Sequence, residues 1–390
     1  MDFSLYRAIY WNHHAKIISV IENPMKNLST KKQITTSLIV LNYNGREHLD
    51  EYFTSVFSQT RVPDEVIMFD NLCTDGSREF VRKKFPTVKI ITEDRFNTGT
   101  ALAINTAFYH TTGDFIILQS NDIVLDKNCI NSLYDEIISD PSIGIATSIT
   151  IRYPNKKLKR FVVDQAGGNI DLFGFGMQNY PQKQFADIPE TGEVFFAYGD
   201  SIMFQREAFE KVHGFDTRMF MLNDDIDFSW RVRQFGYKII YTKKSFVYHK
   251  GSATIGALYK RPQVRYWSER NSIRCYLKNT SVIHFLLTFP VYIILLGGEM
   301  GYFLYRGRYA LFLSDVKAIL WNLIYLPEIL FNKMNNQFHS KENNIHSLIQ
   351  YETTHELTLG VSYQSNSVAV CPATIEAGSA SIPRAYASGI

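Results

Sequence analysis

Only four cysteines occur in the 390 residues, Cys73, Cys129, Cys275 and Cys371, and none sits in a C-x-x-C pair. That spacing excludes a zinc knuckle and a dithiol redox centre, and isolated thiols suit a reducing compartment. Charge of one sign is also lacking: 41 Lys plus Arg against 38 Asp plus Glu leave a formal +3. No broad nucleic-acid-binding face is therefore expected. The chain has no Walker loop, no H-E-x-x-H and no G-x-S-x-G, so the commonest ATPase, zinc-protease and serine-hydrolase chemistries have no motif. Its first residues interrupt their apolar positions with Arg7, His13, His14 and Lys16, so no secretory signal is expected there, and Met25 offers an alternative start.

What is present points to an α/β domain. A hydrophobic share of 45% allows at least one large core and a further module. From Thr36 to about Asp126, short apolar runs (TSLIVL, EVIMFD, VKIIT, DFIILQ) alternate with helical stretches, as in βαβ units around a mostly parallel sheet. Between the first two runs, Leu49, Tyr52, Phe53, Val56 and Phe57 recur at helical spacing, which predicts a helix with one face on that sheet, ending before Pro63. Parallel strands deliver their carboxyl ends to one edge, where such folds bind ligands. Tyr43 and Asn44, Asp70 and Asn71, and Ser120, Asn121 and Asp122 all follow or close strands, so three polar clusters converge on one crevice.

A second block from Phe195 to Thr254 holds the turn HGFD, the acidic run NDDIDFSWRVRQFGY and an expected strand pair ending in FVYHKGSAT. Nothing marks a linker before it, so residues 34–276 are expected to form one domain after an extension of 1–33. Residues 277–334 change character. SVIHFLLTFPVYIILLGG is at the short edge of what spans a bilayer, and the later YALFLSDVKAILWNLIYLPEILF carries Asp315, Lys317 and Glu328, which suits an interfacial amphipathic helix. Arg270, Arg274, Lys278, Arg306 and Arg308 flank these stretches and favour the anionic cytoplasmic leaflet. A buried helical hairpin is the plainer alternative. The polar tail, 335–390, shows no sustained period, and disorder is expected there.

Several residues carry chemistry that a nucleotide ligand at a sheet edge would need. A carboxylate and an imidazole, Asp122 and His249, suit a hard divalent cation, and Mn²⁺ tolerates nitrogen better than Mg²⁺. Asn223-Asp224-Asp225-Ile226-Asp227 offers three carboxylates, and like charges buried together raise at least one pKa, as a general base requires. Each has a bland reading as well: acidic residues favour a helix start, Asp70 suits a turn, Asp75 suits a cap, and a lone histidine is commonly structural.

Taken in order, LNYNGREHLDEYFTSVFSQT, PDEVIMFDNLCTDGS, NTGTALAINTAF, GDFIILQSNDIVLD, GFDTRMFMLNDDIDFSWRVRQFGY and VYHKGSAT resemble the family 2 inverting glycosyltransferases, especially the rhamnosyltransferase-like branch. The resemblance covers about Gln33 to Lys278. It implies the GT-A fold, a UDP- or dTDP-sugar donor, a saccharide or lipid-linked saccharide acceptor, and single-displacement chemistry in polysaccharide synthesis at the cytoplasmic face of the membrane. It further implies that Tyr43, Asn44, Asp70, Asn97, Asn121 and Asp122 bind the nucleotide-sugar, that Asp122 with His249 holds Mn²⁺ or Mg²⁺, and that Asp225 is the base beside Asp224. Two positions depart from the pattern: Ser120 stands where the metal motif has its first carboxylate, and Cys73 stands where serine is usual.

Two other functions compete with this one. A sugar nucleotidyltransferase would need a Gly-rich basic loop after the first strand, and LNYNGREHLD has one Gly and one Arg there. An inactive membrane-bound subunit that only binds nucleotide-sugar is consistent with Ser120 but not with intact Asp122, Asp225 and His249.

Overall fold

The computed structural model describes residues 34–153, 161–251 and 259–339. The expected extension at 1–33 and the tail beyond His339 lie outside the described residues.

The first half forms β1 (Thr36–Asn42), α1 (Arg46–Phe57), β2 (Glu65–Asn71), α2 (Ser77–Lys84), β3 (Lys89–Glu93), α3 (Gly99–Phe108), β4 (Phe115–Ser120), β5 (Ile123–Leu125) and α4 (Cys129–Ser139). β1 runs parallel to both β2 and β4, and β2 runs parallel to β3, so the expected mostly parallel sheet is present. The inner strands β1, β2 and β4 carry near-continuous apolar runs because both faces are covered, whereas the edge strand β3 is partly exposed. Leu38 and Val40 pack with Tyr52, Phe53 and Val56 of α1 on one face, whereas Ile39 packs with Ala103, Ile104 and Ala107 of α3 on the other. Burying one such side chain fully stabilises by about 1.5–3 kcal/mol, so the two layers fix which edge of the sheet stays open.

The second half continues with β6 (Ile143–Arg152), β7 (Val163–Gln165), β8 (Gly168–Ile170), β9 (Gly176–Gln178), β10 (Thr191–Glu193), β11 (Ser201–Gln205), α5 (Arg206–Lys211), α6 (Asp224–Gln234) and β12 (Lys238–His249). The sheet order is β10-β12-β6-β11-β4-β1-β2-β3, with β5 on β12 and β7 on β6. β11 enters antiparallel between β4 and β6, which brings the residue before it, Asp200, to the end of β4. In place of the expected strand pair there is one strand, β12, whose pairing with β6 shifts between Thr242 and Phe246. Ser245 in this bulge is buried and donates to the Cys129 carbonyl at 3.0 Å, so an inward hydroxyl holds the irregular step.

Four helices follow: α7 (Arg261–Asn279), α8 (Val282–Tyr305), α9 (Tyr309–Ile324) and α10 (Leu326–His339). Pro262 opens α7, where a missing N–H is harmless, and the Ser281 hydroxyl caps α8 by accepting from the His284 amide. α8 has 24 residues and a mean hydropathy of 1.8, long and apolar enough to cross a membrane. Only 11% of its apolar window is buried. α9 inverts the usual soluble pattern, burying Ser314, Asp315 and Asn322 while exposing Leu313, Leu320, Leu323 and Ile324. It meets the first part of α10 at a bend of 64°.

Candidate active site

A cavity of about 770 Å³ opens at the carboxyl ends of β1 and β4 and is walled on its other side by α6, α7 and α8. Of the residues expected to bind a nucleotide-sugar, Tyr43, Asn97, Asn121 and Asp122 line it, together with Asn71. Amides hold one another at this edge. Asn71 Nδ2 donates to Asn97 Oδ1 at 3.0 Å, and Asn121 Nδ2 donates to Asn42 Oδ1 at 2.6 Å. Gly45 permits the second pair, since a Cβ there would lie 2.2 Å from Asn121 Nδ2. Gly99 has φ +73 and a Cβ would meet the Phe220 carbonyl oxygen at 2.0 Å, so glycine alone fits between α3 and the loop preceding α6. Across the same contact Thr100 N donates to Phe220 O at 2.7 Å.

Neither Asn44 nor Asp70 lines the cavity. Asn44 Oδ1 accepts from Thr74 N at 2.8 Å. Asp70 is buried, with Oδ1 accepting from Cys73 N at 2.9 Å and Oδ2 paired with Arg78 Nε at 3.0 Å. Both carboxylate oxygens thus have partners within the protein. Cys73, at the serine position, exchanges hydrogen bonds with Asn42: Sγ accepts from Nδ2 at 3.1 Å and donates to the carbonyl at 3.2 Å.

The structure brings Asp122 and His249 together, although they lie far apart in sequence. β5 pairs with the end of β12, and Asp122 Oδ2 stands 3.3 Å from His249 Nε2. On the other side of the ring, Nδ1 is 3.8 Å from Asp164 Oδ2. Burial works to raise the Asp122 carboxyl, but the hydrogen bond and charge of His249 outweigh it and hold Asp122 below the ordinary value. Burial likewise works to lower His249, yet its bonds to Asp122 and Asp164 and the charge of Asp200 lift it well above 6.5. Asp200 is raised by burial, with the Asp122 and Asp164 charges adding to it. The Asp122 carboxylate suits Mn²⁺ or Mg²⁺, and His249 would add a nitrogen that suits Mn²⁺ better once a cation displaces the ring proton shared with Asp122. Among the described residues no set of three or more His, Cys, Asp or Glu side chains forms a closed metal site. An open pair suits a cation that keeps positions for substrate oxygens and water.

At the start of α6, Leu222 and Asn223 both adopt left-handed backbone, φ 71 and 60, and turn three carboxylates into different surroundings. Asp224 is buried and accepts from Thr100 Oγ1 at 2.5 Å. Asp227 is locked, 2.7 Å from Lys278 Nζ and 2.8 Å from Arg231. Asp225 lines the cavity, and its Oδ1 accepts from the Ile226 amide at 2.9 Å, with no cation paired to it among the described residues. Burial, then the charges of Asp224 and Asp200, push Asp225 up to about 7.

The sequence model of the family described as Glycosyl transferase family 2 matches residues 37–213, from β1 through the turn after α5. Residues 37–213 therefore carry a glycosyltransferase family 2 domain. Over 245 residues the transferase is 24% identical to the N-acetylglucosaminyl-diphospho-decaprenol L-rhamnosyltransferase of Mycobacterium tuberculosis, covering 56% of this chain and 77% of that protein. It is 22% identical over 267 residues to the poly-beta-1,6-N-acetyl-D-glucosamine synthase of Staphylococcus epidermidis, covering 66% of this chain and 62% of the synthase. A solved structure similar to it is the mannosyltransferase PcManGT of Pyrobaculum calidifontis in complex with GDP-Man and Mn²⁺, at 16% identity and TM-score 0.45 over 86% of this chain and 92% of that one. The mostly parallel central sheet that the motifs implied is present beside this domain's cavity.

Beyond the expected residues, Asp164, Asp200, Tyr198, Glu269 and Glu299 also line the transferase's cavity. Asp164 lies within β7 and Asp200 directly precedes β11, short strands with no sequence period to flag them. Gln165 Nε2 donates to Asp200 at 3.1 Å and to Thr150 Oγ1 at 2.6 Å, so β7 and β6 position that carboxylate. Glu299 lies inside the most apolar helix of the chain, where composition reads as lipid-facing.

Proposed function

We propose that this transferase moves a hexosyl group from a UDP- or dTDP-sugar, rhamnose being one such sugar, to a saccharide or lipid-linked saccharide with inversion of the anomeric centre. The observation that carries this reading is Asp225, a cavity carboxylate without a cation partner and raised to about 7, in the same cavity as the Asp122–His249 pair. Asp225 takes the proton of an acceptor hydroxyl as that oxygen bonds to the anomeric carbon. The bond from that carbon to the diphosphate oxygen breaks, and its electron pair leaves with the nucleoside diphosphate. Mn²⁺ or Mg²⁺ held by Asp122 and His249 would supply positive charge for the departing diphosphate. Asn71, Asn97 and Tyr43 orient the nucleoside at the strand edge.

The exposed apolar faces of α8 and α9 support seating at a bilayer, and the basic residues beside them favour the cytoplasmic leaflet. Co-sedimentation with anionic lipid vesicles is expected; protein that stays in the supernatant would remove this part of the reading.

The decisive experiment measures release of nucleoside diphosphate from a panel of nucleotide-sugars with Mn²⁺ and a membrane lipid extract. Wild type is expected to release it from one donor class, and Asp225→Asn to lose at least about a thousandfold while still binding that donor. Equal turnover by the variant would remove Asp225 as the base. Donor binding without any release would favour an inactive nucleotide-sugar-binding subunit.

A further inference from the structure

The cavity extends past the acidic turn of α6 to a wall made by α7 and α8. Ser268, Glu269 and Ser272 of α7 and Glu299 of α8 line it. This wall is joined directly to the residue before Asp224, because Asn223 Nδ2 donates to Ser272 Oγ at 2.6 Å. Tyr198 lines the same space, and no hydrogen bond holds its hydroxyl among the described residues. Burial and the charges of Asp225, Asp200 and Asp164 push that phenol well above 10, so it stays a donor facing carboxylates.

Charge decides what such a wall accepts. Among the described residues, eight carboxyl groups line the cavity against one guanidinium, Arg265, and one imidazole, His249. Arg265 is divided among three carboxylates: it bonds both oxygens of Glu299 at 2.8 Å, Asp315 at 2.5 Å and Glu269 at 3.1 Å. Arg265 is therefore taken up by this wall's own carboxylates, burial raises Glu269 to about 7, and what the wall presents is serine hydroxyls beside the paired carboxylate of Glu299.

The geometry points to the α7–α8 wall as the acceptor subsite, and to an uncharged sugar as its ligand rather than a sugar bonded directly to phosphate or diphosphate. The inference rests on the transfer reading above and deepens it. Carboxylates and serines accept and donate to neighbouring sugar hydroxyls, and hydrogen bonds to an ionised carboxylate are the stronger kind. Phe175 and Tyr259, also lining the cavity, offer apolar ring faces to the C–H side of a pyranose. A phosphate on the reacting sugar would meet like charges here, with no unpaired cation to answer it among the described residues. The donor diphosphate is different, because the open Asp122–His249 pair suits a cation of its own. Glu299 also ties the subsite to the bilayer-facing helix, whose Leu286, Leu287 and Ile294 are exposed. A lipid-linked acceptor would then present a sugar at least one residue removed from its phosphate.

The test uses full-length protein with the nucleotide-sugar that wild type turns over. For each sugar of a panel, KM is compared between an alkyl glycoside and the same sugar joined to an alkyl chain through diphosphate. The glycoside is expected to show at least a tenfold lower KM. Glu299→Gln and Ser268→Ala are expected to raise the ratio of acceptor KM to donor KM about tenfold. Ser268→Ala decides the matter should the Glu299 variant fail to fold, since Ser268 holds none of the ion pairs. Equal or better use of the diphosphate-linked sugar, or an unmoved KM ratio in Ser268→Ala, would overturn the subsite assignment while leaving transfer itself intact. Absence of any donor turnover by wild type would instead overturn the transfer reading, and the subsite with it.

Discussion

The two walls of the cavity are built from different materials. Along the strand edge, Asn71, Asn97, Asn42 and Asn121 satisfy one another, and neutral dipoles arranged this way need no countercharge. Along α6 to α8 the wall is rich in carboxylates, and on α6 a cation partner separates the character of two of them. Asp225 and Asp227 sit two residues apart on one helical turn. Asp227 works against burial through Arg231 and Lys278, which hold it below the ordinary carboxylate value, whereas Asp225 has neither and rises to about 7. Pairing makes one a structural anchor, and its lack leaves the other able to take a proton.

The contrast breaks hardest where the helical wall loses a cation. Arg274 is fully buried between Asp216 and Glu328, and Asp216 also meets Lys278, which reaches Asp227. Arg274→Met should lower unfolding free energy by about 3–5 kcal/mol, read from urea melts, because it strands buried carboxylates. A variant as stable as wild type would mean that the wall does not depend on these pairs. Asp122→Asn tests the boundary between the walls: the Mn²⁺ concentration for half-maximal activity should rise about 10- to 100-fold, an effect of the size seen when metal-site residues are altered. An unchanged requirement would place the cation elsewhere. The smallest effect sharpens the comparison most. A base must be deprotonated, so activity should rise with pH through about 7. Asp224→Asn removes a neighbouring negative charge, lowers the Asp225 pKa, and should move that rise to lower pH by about one unit. A fixed midpoint would assign the shift to burial alone.

Much of the strand edge was legible because alternation of short apolar runs with a 3.6-residue period forces a parallel sheet with one open edge. The grouping of Asp122, Asp225 and His249 followed from chemistry and motif order, and the structure places all three on one cavity. Asp70 was not resolvable in this way: a strand-end aspartate suits a ligand and a turn equally, and its pairing with Arg78, eight residues on, has no sequence period to announce it. Asp200 escaped notice because it depends on β11 crossing antiparallel between two distant strands. Glu299 was hidden by its surroundings, since hydropathy averages a single carboxylate away within an apolar helix. The strand pair expected near Lys243 was one strand, because a polar Lys-Lys-Ser step reads like a turn yet is absorbed as a bulge.

The ion pairs that run from α7 to Glu299, Asp315 and Glu328 bear on how such a chain is inherited and engineered. An anchor joined through a linker behaves as an exchangeable cassette, free to be shuffled or trimmed between genes. Here the last three helices carry the counter-ions of Arg265 and Arg274, so truncation after Lys278 would uncover two guanidinium groups in the heart of the protein. A graft from another chain would succeed only if the matching acidic residues travelled with it, which makes catalytic segment and apolar helices a single heritable unit.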